Sequence, residues 1–171
     1  MEISNVYIDF HLNIEEGTPI FKVQATCSIF REYSDQQINI GEATIYLCDP
    51  TKSLYEDLCG EASCISTNLS GCLTSLEKIC GATKIDGLVA TCHSINMKEE
   101  WQGKGFEQVF MEKLVDQFSF LHVELFLAPI DKLNVNRKAV FRRLGFQSLE
   151  YDENISVMYK YLCNMGVASA V

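Results

Sequence analysis

Prolines are scarce in this 171-residue chain, only three, and no run approaches the ~20 apolar residues that a membrane-spanning helix needs. Few breakers leave room for long elements, and a helical membrane span drops out of the reading. The first residues, Met1-Glu2-Ile3-Ser4-Asn5, lack both the basic start and the apolar core of a secretory signal, so a cytoplasmic location is expected. Positive charge is short as well: 14 basic against 23 acidic residues give a net charge of −9 and a pI near 4.8. Nucleic acid, itself a polyanion, is a poor partner for such a surface. A cationic amine would be drawn toward it, and the same acidity also serves solubility alone.

Metal-site spacing is lacking too. Eight cysteines stand at positions 27, 48, 59, 64, 72, 80, 92 and 163 with no Cys-x-x-Cys pair, and His11, His93 and His122 are scattered. Zinc sites usually pair ligands two to four residues apart, and a cytosolic chain keeps its thiols reduced. The cysteines are therefore expected as small core hydrophobes, with no metal. The nucleotide loop Gly-x-x-x-x-Gly-Lys-Ser/Thr does not occur, and neither do internal repeats. Apolar residues make up 47% of the chain, enough for a sheet with helices on it, and the length suits one compact domain over residues 1–171.

What is present is patterned. Strands are expected near 3–12, 20–30 and 38–48, forming a meander with turns at Glu16-Gly17-Thr18-Pro19 and Asp49-Pro50. Ile65, Leu69, Leu73, Leu76 and Cys80 mark one face of a helix that Gly81 stops; with Ser63, Ser66 or Thr67 as N-caps, the segment divides into two short helices instead. Gly71 inside it costs ~1 kcal/mol relative to alanine and allows close packing. Gly87 to Ile95 reads as a strand, and Phe106, Phe110, Leu114 and Phe118 recur every fourth residue as the buried face of a helix, with Val109 filling in. Leu121, Val123, Leu125 and Leu127 alternate with His122, Glu124 and Phe126 in a two-faced strand that Pro129 ends. A helix from Asn134 to Leu144, stopped by Gly145, and a strand through Ile155, Val157, Tyr159 and Tyr161 complete the pattern.

Between the strand at Gly87 and the helix at Phe106 lies Gln102-Gly103-Lys104-Gly105-Phe106. Glycines there let the backbone approach a ligand, and the unpaired amides and dipole at the helix start favour a di- or polyphosphate. Downstream, Asn134 leads into Phe141-Arg142-Arg143-Leu144-Gly145-Phe146. Together the two segments resemble the GCN5-related N-acetyltransferases. That family's acetyl-CoA loop reads Gln/Arg-x-x-Gly-x-Gly/Ala, matched by Gln102 and Gly105, and its later helix reads Asn, a small residue, a Tyr, then Leu-Gly-Phe. The resemblance covers roughly residues 85–162, about half of the chain.

It implies a mixed α/β (α+β) fold: a central, mostly antiparallel sheet of about seven strands, splayed at the cofactor site and flanked by helices. It also implies acetyl transfer from acetyl-CoA to an amine acceptor, small molecule or protein, by a monomer or homodimer. Ile95, Asn96 and Met97 would hold the pantetheine arm; Gln102, Gly103, Lys104, Gly105, Phe106 and Glu107 would form the pyrophosphate loop; Asn134 and Phe141 would complete the cofactor site. An N–H of Ile95 or Met97 would meet the acetyl carbonyl oxygen. His93, with an unperturbed pKa of ~6.5, and Glu124, across the splay, are the candidate bases. His93 also reads as a core histidine bonded to a carbonyl. Cys92 is expected on the opposite face from His93.

Three departures from the family pattern stand out. Glu107 occupies a position where the family prefers Gly or Ala, which places a carboxylate beside the expected pyrophosphate. Phe141 replaces a Tyr that protonates the leaving thiolate, and a phenyl ring donates no proton. Three strands precede the helices, whereas the family sets two helices directly after its first strand. These departures support an alternative, a fold relative that works through protein contacts. Lys132, Arg137, Lys138, Arg142 and Arg143 gather against the acidic trend, either to meet the 3′-phosphate of CoA or as a solvated face.

Overall fold

The computed structural model of the chain describes residues 6–13, 17–30, 36–52, 55–81 and 85–162. Met1–Asn5, Glu16 and Cys163, which entered the sequence reading, lie outside them. Strands β1 (Val6–Asn13), β2 (Ile20–Phe30) and β3 (Gln37–Cys48) form the expected antiparallel meander. Helices α1 (Tyr55–Ile65), α2 (Thr67–Thr74) and α3 (Leu76–Cys80) follow, then β4 (Leu88–Met97), α4 (Phe106–Phe120), β5 (Val123–Asp131), α5 (Val135–Arg143), β6 (Gln147–Glu150) and β7 (Ile155–Tyr161). Among the described residues the seven strands make one sheet in the order β1-β2-β3-β4-β5-β7-β6. β4 and β5 run parallel and every other pair antiparallel. The mixed, mostly antiparallel sheet flanked by helices is thus the architecture expected.

Each face of the sheet carries its own apolar layer. On one, the four-residue spacing of α4 buries Phe106, Phe110, Leu114 and Phe118, with Phe118 edge-on to Phe10 and Phe126 at 5.7 and 5.6 Å. Burying such side chains contributes roughly 1.5–3 kcal/mol each. On the other face, Leu58, Leu69, Leu73 and Leu76 of the short helices pack on Val89, Leu125, Leu127 and Val157. Because β4 and β5 are covered on both faces, their sequences read as nearly continuous apolar runs, as parallel central strands do.

The helical segment divides further than either sequence reading allowed. Ser66 is an N-cap, its side chain accepting from the Leu69 amide at 3.0 Å, and a second break falls at Ser75. Ile65, expected on the buried face, is exposed because its helix ends there. Gly81, at φ 57°, closes α3 as expected. Gly71 does serve close packing, for a Cβ there would stand 2.8 Å from Cε1 of Tyr151.

β5 also departs from its expected form. It begins at Val123, leaving Leu121 and His122 in a turn where His122 takes a left-handed φ of 58°. Leu88 pairs with Val123 but Val89 with Leu125, so Glu124 is a bulge residue and the simple alternation breaks there. Pro129 lies inside the strand, opposite Val157, and does not end it. It falls beyond the last β4 partner, where β5 has a free edge and proline is tolerated.

Candidate active site

The parallel ladder stops early. β4 and β5 pair only from Leu88–Val123 to Thr91–Leu127, yet β4 continues to Met97 and β5 to Asp131. Beyond Thr91 the two strands part, leaving backbone groups along an opening in the middle of the sheet. On its other edge β4 stays paired with β3 through an irregularity: Thr44 faces Ser94 and Ile45 faces Cys92, which makes His93 the extra, bulged residue.

Past Met97 the chain makes a 3-10 turn at Glu99–Trp101 and reaches the glycine loop. Gln102 pins the loop to the strand by donating Nε2–H to the Met97 carbonyl at 2.9 Å. Gly103 and Gly105 take φ of 69° and 85°, a region other L-residues enter only with strain, and Gly105 is the N-cap of α4. The first amides of α4 therefore open on the splay without partners inside the helix. Across it, Asn134 caps α5, its side chain accepting from the Arg137 amide at 3.0 Å.

Together these elements enclose a cleft of about 640 Å³. Of the cofactor residues expected from sequence, Ile95, Asn96, Met97, Gln102, Gly103, Gly105, Glu107 and Asn134 line it. Lys104, Phe106 and Phe141 do not. The Lys104 ammonium lies 5.2 Å over the Trp101 ring, and Phe106 is buried against that ring at 5.1 Å. Phe141, 2% exposed, packs on Phe146 at 4.9 Å inside the core. Phe141 follows the cleft-lining Val140 by one residue, a rotation of about 100° around the helix, and faces the core.

Sequence reasoning left Gln108, Asn136 and Val140 out of the cleft and could not divide the basic cluster. Arg137 and Arg143 line the cleft, whereas Lys132 and Lys138 turn to Glu150. Arg137 crosses the opening. Its Nε–H donates to Glu107 Oε1 at 2.7 Å and its Nη2–H to the Ile95 carbonyl at 2.7 Å. The Glu107 carboxylate beside the glycine loop is therefore already paired.

The two candidate bases part company. Glu124 sits at the closed end of the β4–β5 ladder, 9% exposed, with Oε2 accepting from the Asp86 and Gly87 amides at 3.0 and 2.7 Å. This corrects its placement across the splay: bulging at the ladder's start directs the carboxylate to the turn before β4. His93 is half-buried on the face under α2, its Nδ1 3.5 Å from Ser66 Oγ and its ring edge-on to Tyr46 at 5.6 Å. Burial, and then the charge of Lys22, holds its pKa below the ordinary 6.5. Thr91 Oγ1, two residues before, is buried without a hydrogen-bond partner.

Cys92 belongs to the opposite layer, and burial pushes its thiol up to about 12, which leaves no thiolate for acyl transfer. Cys27, Cys48 and Cys72 are likewise buried and free. On the His93 side of the sheet a trench of about 290 Å³ runs between α2 and the β6–β7 turn, lined by Ser63, Thr67, Asn68, Ser70, Tyr151 and Asp152 among others. Beside it a second hollow of about 270 Å³ shares Asn68 and Ile155 and reaches Pro129 to Asp131 at the free end of β5.

No family sequence model matches this chain, and no curated protein matches it in sequence. Solved structures do match in shape. A Drosophila melanogaster polyamine N-acetyltransferase that forms N-acetylagmatine aligns over 81% of this chain and 74% of its own, at 12% identity and a TM-score of 0.55. Arabidopsis thaliana NAA60, in complex with acetyl-CoA, aligns over 91% and 98% at 12% identity and a TM-score of 0.54. The Escherichia coli ribosomal-protein-S18-alanine N-acetyltransferase aligns over 90% and 76% at 13% identity and a TM-score of 0.50. The fold is that of the GCN5-related N-acetyltransferases.

Proposed function

We propose that the protein is a cytosolic, single-domain N-acetyltransferase that moves an acetyl group from acetyl-CoA to an amine. The reading rests chiefly on one observation: the parallel ladder opens beside a glycine loop at a helix start, with the Ile95 carbonyl directed into the gap. The cleft fits a pantetheine diphosphate in three respects. Its loop glycines bring backbone close, the amides at the start of α4 suit phosphate, and β4 offers strand groups to the pantetheine amides. Arg143 provides positive charge at the rim for the 3′-phosphate.

Acetyl-CoA, when bound, supplies a thioester as the electrophile. In an extended strand the N–H and C=O of one residue point the same way, so Ile95, whose carbonyl faces the opening, also presents its N–H there for the acetyl oxygen. His93 takes the amine proton. In the tautomer that donates Nδ1–H to Ser66 Oγ, 3.5 Å away, Nε2 carries the free lone pair, and the lowered pKa favours the neutral ring at neutral pH. The acceptor enters from the trench under α2, whose hydroxyls, Asn68 and Asp152 suit a cationic amine of a small molecule or a protein terminus. Proteins of this fold with polyamine and protein-alanine acceptors are known from the structures above.

A second reading, binding of CoA or of a protein without turnover, is favoured by two observations: Phe141 lies in the core with no hydroxyl to offer, and Arg137 spans the opening. Thiol release from acetyl-CoA over a panel of agmatine, spermidine and alanine-, serine- and methionine-initiated peptides separates the two. Release that depends on one acceptor class supports transfer. A melting-temperature rise with CoA and acetyl-CoA but not ATP, together with no release, supports the second reading.

A further inference from the structure

We propose that Arg137 is an exchangeable phosphate-binding residue, held across the cofactor opening by Glu107 and Ile95 until CoA enters, and then transferred to the cofactor's pyrophosphate. The proposal deepens the acetyl-CoA reading and rests on it. In the free protein one guanidinium makes two contacts of 2.7 Å, to a carboxylate on α4 and to a backbone carbonyl on β4. Its own backbone amide is fixed by the Asn134 cap, so the stem is anchored and only the two head contacts need to be exchanged.

Both contacts are ones that a pantetheine diphosphate would contest. The Ile95 carbonyl is the acceptor that a pantetheine amide needs, and Glu107 stands in the first turn of α4, beside the amides that suit phosphate. A pantetheine amide must share that carbonyl with Arg137 or displace it. Arginine remains charged throughout, and its planar fork fits a phosphate as well as a carboxylate. The Arg137 and Glu107 side chains are 30% and 36% exposed, so the exchange requires no repacking of the core, and a partly exposed ion pair is weakly held. Glu107 acts, on this account, as a temporary partner that keeps the guanidinium in place until the phosphates draw it away.

The exchange makes opposite predictions for ligands with and without phosphate. In Arg137→Met, CoA should bind roughly tenfold or more weakly, with a flatter dependence on salt, because a phosphate-binding cation is gone. S-acetylpantetheine, which has no phosphate, should bind equally or more tightly, because the Ile95 carbonyl is released. Glu107→Gln should tighten CoA by about 2- to 10-fold and broaden the Arg137 Nε–H resonance of the free protein. Both ligands weakening together in Arg137→Met would make Arg137 a structural strut, and both tightening would make it a simple block; either result overturns the proposal. Weaker CoA binding with equal or tighter S-acetylpantetheine binding sustains it even if no amine is ever acetylated. Failure of wild type and of both variants to bind either ligand overturns the proposal and the cofactor reading together.

Discussion

His93 owes its position to one surplus residue in β4, and the same surplus takes it out of ladder pairing while leaving it beside Ser66 and Tyr46. If it accepts the amine proton, His93→Gln should cut turnover ~10²–10⁴-fold with CoA affinity unchanged. The acid limb of kcat/KM should lie below pH 6.5, since burial lowers the pKa from that value. The same shift acts on stability with a defined sign. As pH falls from the unfolded value of 6.5 toward the lower folded value, the unfolded chain binds the extra proton and the folded state loses stability. His93→Gln should remove that part of the slope in urea melts recorded between pH 7 and 5. Glu124 is predicted to behave otherwise, because two backbone amides depend on its carboxylate. Glu124→Ala should cost ~1–3 kcal/mol of stability in denaturant melts, while turnover per folded molecule stays within a few-fold of wild type. A rate loss matching that of a missing base, in a variant of normal stability, would return Glu124 to the chemistry.

At the scale of elements, the meeting of α2 with the β6–β7 turn shapes the trench, and Gly71 is what permits it. Alanine would favour the helix by ~1 kcal/mol but would set a methyl 2.8 Å from the Tyr151 ring, and overpacking of that kind costs ~1–3 kcal/mol. Gly71→Ala should therefore lower the melting temperature and move Tyr151; a more stable variant with Tyr151 in place would contradict this packing. Elements with one buried face were legible in sequence. α4 announced itself through Phe106, Phe110, Leu114 and Phe118, and β7 through the alternation of Ile155, Val157, Tyr159 and Tyr161, although Ser156 and Met158 on its other face are buried too. Those without such a stripe were not. α1 buries only Leu58 and Ala62, and β6 is a four-residue edge strand with a single apolar residue, Leu149. The bulge at Glu124 broke the alternation that β5 was expected to keep, because a bulge depends on the partner strand's register and leaves no local mark. In the site, the glycine loop was legible through its residue types. The inward turn of Arg137 was not, for five basic residues look alike until a helix face and a partner carboxylate select one.

For the molecule as a whole, the notable feature is where the chain places its helices. α1 to α3 lie between β3 and β4, after three strands, as the sequence suggested, and still cover the face on which His93 sits. With this order of elements the chain still aligns with the three acetyltransferase structures at TM-scores of 0.50 to 0.55. Edge strands β1 and β6 do not bear on the cleft, so the cofactor account holds for a monomer or a homodimer. Among the described residues no helix is long and apolar enough to cross a membrane.

Binding of acetyl-CoA in the opening between β4 and β5 is checked by an amide-resolved NMR titration with acetyl-CoA, with Gly105→Asp as control. Saturable shifts are expected at Ile95, Met97, Gly103, Gly105 and Glu107, with little change along β1 and loss of all shifts in Gly105→Asp, where a side chain and a charge enter a φ of 85°. Saturable shifts that avoid the opening, or no shift at millimolar ligand in a folded protein, would contradict it.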